Sequence, residues 1–117
     1  MRREVAEALG EIGSKEAVPH LIEVLKDEHW LNHGDWRVRE AAVKALGEIG
    51  SKEAIPYLAE ALKDVDSDVR ESAAEVLGKI GSKEAIPHLI KALKDEDSYV
   101  RKAAAVALRK IKQQSQN

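Results

Sequence analysis

The chain has 117 residues, enough for one domain with its own core, and 19 Lys and Arg against 21 Asp and Glu leave a formal charge of -2. With no basic excess there is nothing to drive counterion release from a phosphate backbone, which argues against nucleic acid, and with no cysteine there are no disulfides, thiolate metal sites or cysteine nucleophiles. No run approaches the roughly 18 apolar residues of a membrane span and no signal peptide opens the chain, so a soluble cytoplasmic protein is expected.

The first element is a charged helical pattern over about 2–12, with Val5, Ala6, Leu9 and Ile12 as its apolar residues. A second helix is expected over 15–26. It is followed by a stretch, Asp27 to Trp36, whose middle has no counterpart elsewhere in the chain. Helices then follow over 36–49, 52–63, 67–80, 83–94 and 98–112. The segments 45–75 and 76–106 align without a gap: Gly47, Pro56 and Val69 recur 31 residues later as Gly78, Pro87 and Val100. The same pattern stands upstream at 9–27, offset by 37, and the six extra residues fall in the unmatched stretch. A period between roughly 20 and 50 residues marks a stacked repeat, so the expected fold is an all-α solenoid of antiparallel helix pairs with seven helices. As one domain it divides into a lone helix 2–12, repeats at about 14–50, 51–81 and 82–112, and a polar tail 113–117.

Within a unit the first helix carries Ile55, Leu58, Ala59 and Leu62 on one face, behind Ser51 as a candidate N-cap. The second carries Val69, Ala73, Val76, Leu77 and Ile80, with Asp66 as N-cap and Gly81 as stop. Asp35 is the matching cap for 36–49. Glycine inside a helix costs about 1 kcal/mol relative to alanine. The recurrence of Gly47 and Gly78 there implies that two helices approach too closely for a side chain. Nothing alternates with period two, so no strands are expected.

The "AIP-L--AL-D" first helix and the "VR--AA--LG-IG" second helix resemble the HEAT repeat family over residues 2–112, in the short-repeat form of phycobilin-lyase subunits and artificial alphaRep scaffolds. That resemblance implies ladders of aspartates ending the first helices (Asp27, Asp64, Asp95) and arginines opening the second (Arg39, Arg70, Arg101). It also implies that the second helices line a concave side where partners bind. A HEAT-like enzyme, deoxyhypusine hydroxylase, uses His-Glu dyads near the start of second helices. Here those places read Arg3-Glu4, Glu40-Ala41, Glu71-Ser72 and Lys102-Ala103, so that activity is not expected.

Other chemistry is sparse. His20 and His88 share a column with Tyr57, which marks a half-buried surface position rather than a ligand set. His29 and His33 stand at i, i+4 and with Glu28 or Asp35 are weak metal candidates; a solvated polar loop is the plainer interpretation, and no cofactor is expected. No phosphate loop and no nucleophile with an evident base is present, so an enzyme is not expected.

Surface columns on the second helices are Arg3, Glu4, Glu7 and Glu11; Trp36, Arg37, Glu40, Lys44 and Glu48; Asp68, Glu71, Ser72, Glu75 and Lys79; and Tyr99, Lys102, Val106 and Lys110. The candidate binding residues are Trp36, Arg37, Glu40, Lys44, Asp68, Glu71, Glu75, Tyr99 and Lys102. Trp36 and Tyr99 are of the types enriched at hot spots, and acidic residues crowd the first three columns while Lys dominates the last. The expected function is a non-catalytic protein–protein interaction scaffold whose partner carries a basic segment. The alternatives are a metal- or cofactor-dependent protein with a site at 28–35, or an engineered scaffold; the high charge and near-identical "GSKEA" turns fit a consensus or thermostable design. The insertion is expected to be a tolerated enlargement of the turn, with Trp30 and Leu31 folded back on the stack. The C-terminal helix is expected to be capped by Arg109, Lys110 and Lys112, and the N-terminal helix to be uncovered, which points to a homodimer through residues 2–12 or else to the C-terminal part of a longer array.

Overall fold

The computed structural model describes residues 3–26 and 35–115. The insertion at 28–34, with His29, Trp30, Leu31 and His33, and the ladder residue Asp27 lie outside the described residues, as does Arg2. Seven α-helices are present among the described residues: α1 (Arg3–Ile12), α2 (Val18–Lys26), α3 (Trp36–Ile49), α4 (Ile55–Ala61), α5 (Ser67–Ile80), α6 (Ile86–Ala92) and α7 (Ser98–Ser115). No strand occurs among them. The pairs α2/α3, α4/α5 and α6/α7 stack in order, with α1 placed before them.

The first helices begin later than their apolar pattern suggests. Each is entered through a 3₁₀ turn, Lys15–Ala17, Lys52–Ala54 and Lys83–Ala85, and each α-helix then has proline in its first turn (Pro19, Pro56, Pro87). Proline has no N–H to donate backwards, so the tighter turn ahead of it sacrifices no further α-helical bond. Ser14 and Ser82 accept hydrogen bonds from the N–H groups of Glu16 and Glu84 at 3.2 and 3.3 Å. Ser51 occupies the N-cap position, with backbone angles matching those of Ser14, but its side chain makes no such bond. The second helices are capped as expected: Asp35 accepts from Arg37 N–H and Asp66 from Asp68 N–H, both at 2.8 Å. They stop at Gly50 and Gly81, in the left-handed region at φ 73° and 77°.

The core is one layer of small apolar side chains between the two rows of helices. Leu21, Leu46, Leu58, Leu77 and Leu89 are its fully buried large members. The second helices pack more intimately on one another than the first helices do. A Cβ placed on Gly10 would lie 2.7 Å from Ala45 Cα, and one on Gly78 would lie 2.7 Å from Ala107 Cα. At Gly47 the obstacle is Val76 Cγ2, also at 2.7 Å. The recurrent glycine therefore marks helix-on-helix approach at backbone distance.

A polar ladder joins the repeats. Arg39 donates from Nε to Asp64 Oδ2 at 2.7 Å and from Nη2 to Oδ1 at 3.0 Å, with both side chains buried. Arg70 grips Asp95 in the same bidentate way at 2.9 and 3.2 Å. Its Nη1 donates to the carbonyls of Asp64 and Val65 at 2.8 and 3.2 Å. Asp64 and Asp95 also accept the N–H groups of Asp66 and Asp97, each at 2.9 Å. Arg70 thus clamps the turn of its own pair, and Arg39 and Arg70 take the carboxylate of the next, as charge-assisted bonds.

Both ends carry exposed apolar side chains. Val5 and Ile12 of α1 are exposed, whereas Ala6 is buried and Leu9 partly buried, so the stripe expected to be uncovered is covered in part. At the C-terminal end Arg109, Lys110 and Lys112 of α7 are exposed and Ile111 on the same helix is buried, while Ile90 and Leu93 of α6 are exposed.

Candidate groove on the second-helix face

The repeat places the surface residues of α1, α3, α5 and α7 in rows. Arg37, Asp68 and Tyr99 form the row at the helix starts; Arg3, Glu40, Glu71 and Lys102 form the next. Glu7, Lys44, Glu75 and Val106 follow, and then Glu11, Glu48, Lys79 and Lys110. Alternation of the 3.6-residue helical period with the repeat step puts all of them on one face.

Two grooves lie on that face among the described residues. The larger, of about 630 Å³, runs between α5 and α7 and reaches α3. Its floor is Gly47, Val76, Ala103 and Ala107, so the glycine and alanine positions that let the helices close also leave an apolar trough. Of the expected site residues, Lys44, Glu71, Glu75, Tyr99 and Lys102 line it, together with Glu48, Lys79, Val106 and Lys110. The smaller, of about 120 Å³, lies between α1 and α3 and takes in Glu40 and Lys44 with Arg3, Glu7 and Glu11. Trp36, Arg37 and Asp68 line neither groove. Trp36 and Asp68 are exposed at the helix starts, and Arg37 folds back onto its cap, with Nε and Nη2 at 3.2 and 3.3 Å from the Asp35 carboxylate.

The large groove is lined by charges of both signs: Glu71, Glu75 and Lys79 stand on α5, Lys102 and Lys110 on α7, and Lys44 and Glu48 on α3. Among the described residues, Glu48, Glu71, Glu75, Lys79, Lys102 and Lys110 form no ion pairs with one another. Tyr99 is exposed above the trough. Burial pushes the Glu71 carboxyl above the usual range, and the nearby carboxylates of Glu75, Asp68, Asp97 and Glu40 add to the effect. A carboxyl that holds its proton more tightly when folded favours the folded state at low pH. That contribution is lost as pH rises through its folded pKa. Glu71→Gln is therefore expected to be more stable than the parent at pH 7, with the difference closing below about pH 4. Urea titrations at the two pH values would check this; a loss of stability at pH 7 would contradict it.

Ser72 corrects the surface assignment. It is buried, and its hydroxyl donates to Glu40 Oε2 at 3.3 Å. Its column reads Ala41, Ser72, Ala103, and both alanines are buried, so the signal was present in the repeat itself. The floor residues Val76, Ala103 and Ala107 were legible only as core. In the other column, Tyr57 and His88 are half-buried and His20 exposed; Lys26 Nζ lies 5.9 Å from the Tyr57 ring centre. No group of three metal-ligating side chains occurs among the described residues, and no described helix is long and apolar enough to cross a membrane.

Comparison with known proteins bears on this architecture. Residues 29–109 match the model for HEAT repeats, and residues 1–27 match that for the PBS lyase HEAT-like repeat. A search of curated proteins finds no match. Among solved structures, the chain is similar to a chain from the complex of CpcE and CpcF of phycocyanin lyase from Nostoc sp. PCC7120. The identity is 27% and the TM-score 0.60, over 96% of this chain and 59% of that one. It is also similar to an engineered protein, at 29% identity and TM-score 0.62, over 93% of this chain and 55% of that one. The chain thus spans a little over half the length of each. With helix pairs, glycine contacts and ladder in place, and with the family model matched over most of its length, the chain belongs to the HEAT-repeat family.

Proposed function

We propose that the chain is a non-catalytic, cytoplasmic scaffold that binds a partner protein across the grooved face of its second helices. The carrying observation is the apolar trough between α5 and α7, flanked by charges that are not paired with one another and overlooked by the exposed Tyr99. Such charges are available for complementary pairing, which contributes specificity and association rate more than affinity. A basic partner segment would lie over Glu40, Asp68, Glu71 and Glu75, with an apolar side chain seated on Val76 and Ala107. Trp36 and Arg37 would extend the contact at the helix starts. The similarity to a subunit of a two-protein lyase complex supports a protein partner, and in that setting this chain would serve the lyase assembly through binding. The exposed Val5 and Ile12 would offer a separate contact, for a homodimer through residues 2–12. The similarity to an engineered repeat protein and the near-identical "GSKEA" turns favour a second reading, an engineered scaffold.

Affinity measurement against a co-purifying partner tests the groove. Tyr99→Ala and Glu71→Lys are each expected to weaken binding by tenfold or more, on the scale of truncating an interface anchor at about 2 kcal/mol. The exposed Lys63→Ala, on the opposite row of helices, is expected to change nothing. Equal binding by all three variants would overturn the assignment.

A further inference from the structure

The interfaces inside the stack define a vacancy at its C-terminal end. Ala59 and Leu62 of α4 are buried and meet His88, Lys91 and Ala92 of α6 across a shallow groove. The same two repeat positions are Ile22 and Leu25 in α2, 8% and 4% exposed, where α2 packs on α3 and α4. In α6 they are Ile90 and Leu93, and there they are 51% and 39% exposed.

The ladder is open at the same end. Arg101 Nη1 donates to the carbonyls of Asp95 and Glu96 at 2.7 and 3.1 Å, just as Arg70 holds those of Asp64 and Val65. Its guanidinium is therefore held in the ladder position, yet among the described residues no carboxylate pairs with it. Ile90, Leu93 and Arg101 repeat, residue type for residue type, the set Ile22, Leu25 and Arg39. The latter set is closed off in the layer that α4 and Asp64 enter. The vacancy is bounded on one side: Arg109 is exposed on α7 at the position of Gly47 and Gly78, so no helix can approach α7 at backbone distance there.

We propose that this end is a docking site for a single amphipathic helix of a partner protein, followed by an aspartate. Its apolar stripe covers Ile90 and Leu93, and its carboxylate pairs bidentately with Arg101. The exposed Lys91, Lys94 and Arg109 nearby favour an acidic-ended occupant and disfavour a second copy of the same end. The proposal is independent of the groove assignment, because Ile90, Leu93 and Arg101 line neither groove.

The probe is a synthetic peptide of residues 51–66, which contains α4 and Asp64. It carries a side-chain crosslink on its solvent face, since isolated helices of this length are marginal. Titrated into the full chain, it is expected to produce saturable NMR shifts at the Ile90 and Leu93 methyls and at Arg101 Nε–H. Leu93→Lys in the protein, or Asp64→Asn in the peptide, is expected to weaken binding about tenfold or more. Arg101→Gln should remove the discrimination between the two peptides. Leu93 and Arg101 are exposed, so both variants are expected to fold. No saturable shift up to the solubility limit, shifts confined to the grooved face, indifference to these substitutions, or dimerisation of the chain alone through Ile90 and Leu93 would each overturn the proposal.

Discussion

Asp64→Asn is expected to destabilise the stack by about 3–5 kcal/mol, the range found when one member of a buried ion pair is removed. The reason is asymmetric. The amide cannot reproduce a bidentate carboxylate, so the Arg39 guanidinium is left buried beside a neutral group. The Asp66 N–H also loses a charged acceptor at the turn into α5. Against a total stability of about 5–15 kcal/mol for a domain, this is a large share. The exposed pair Arg3–Glu7 is the internal control: Glu7→Gln is expected to change stability by about 0.5 kcal/mol or less. Urea unfolding with unchanged m-values would give both numbers. A cost near that of the control for Asp64→Asn would show that the ladder does not hold the repeats together.

Gly78→Ala is expected to be destabilising by about 1–2 kcal/mol, even though alanine is the better helix former. The propensity gain is about 1 kcal/mol, while forcing a methyl into a packed contact costs about 1–3 kcal/mol. The upper end applies because the obstacle is the Cα of Ala107, and the backbone of α7 cannot retreat without separating from α5. Gly47→Ala meets the Val76 side chain instead, so trimming with Val76→Ala should recover much of its loss. No truncation at Ala107 can remove a Cα, so Gly78→Ala has no equivalent rescue. Thermal or urea unfolding of the two single variants and the one double variant would separate these cases. A stabilising Gly78→Ala would mean that the helices sit further apart than the structure places them.

Both effects rest on features that the repeat displays openly. A glycine at a propensity cost, recurring at one helical position, has a packing cause, and Gly10, Gly47 and Gly78 all have one. The aspartate and arginine columns were legible for the same reason, since a stacking contact must recur wherever units stack. What recurrence could not show was whatever differs between copies. Ser51 shares its "GSKEA" context with Ser14 and Ser82, yet its hydroxyl makes no cap bond; that outcome depends on a single side-chain torsion. The burial of Ser72 is hidden by the polarity of its hydroxyl, although the other residues of its column, Ala41 and Ala103, are buried alanines. The apolar floor of the groove was hidden because small residues that let helices close look like core in one dimension. The polar residues at the end of α7 say nothing about the helix before it, so the exposure of Ile90 and Leu93 was not legible from them. In the fold they project from a different helix and leave Ile90 and Leu93 open.

The central claim concerns the grooved face, and hydrogen–deuterium exchange of the full chain with and without a bound partner tests it most directly. Backbone amides in α5 and α7 around Glu71, Val76, Tyr99 and Val106 are expected to gain protection in the complex, while those of α4 stay unchanged. Protection confined to the first helices or to the 28–35 segment, with none on α5 and α7, would contradict it.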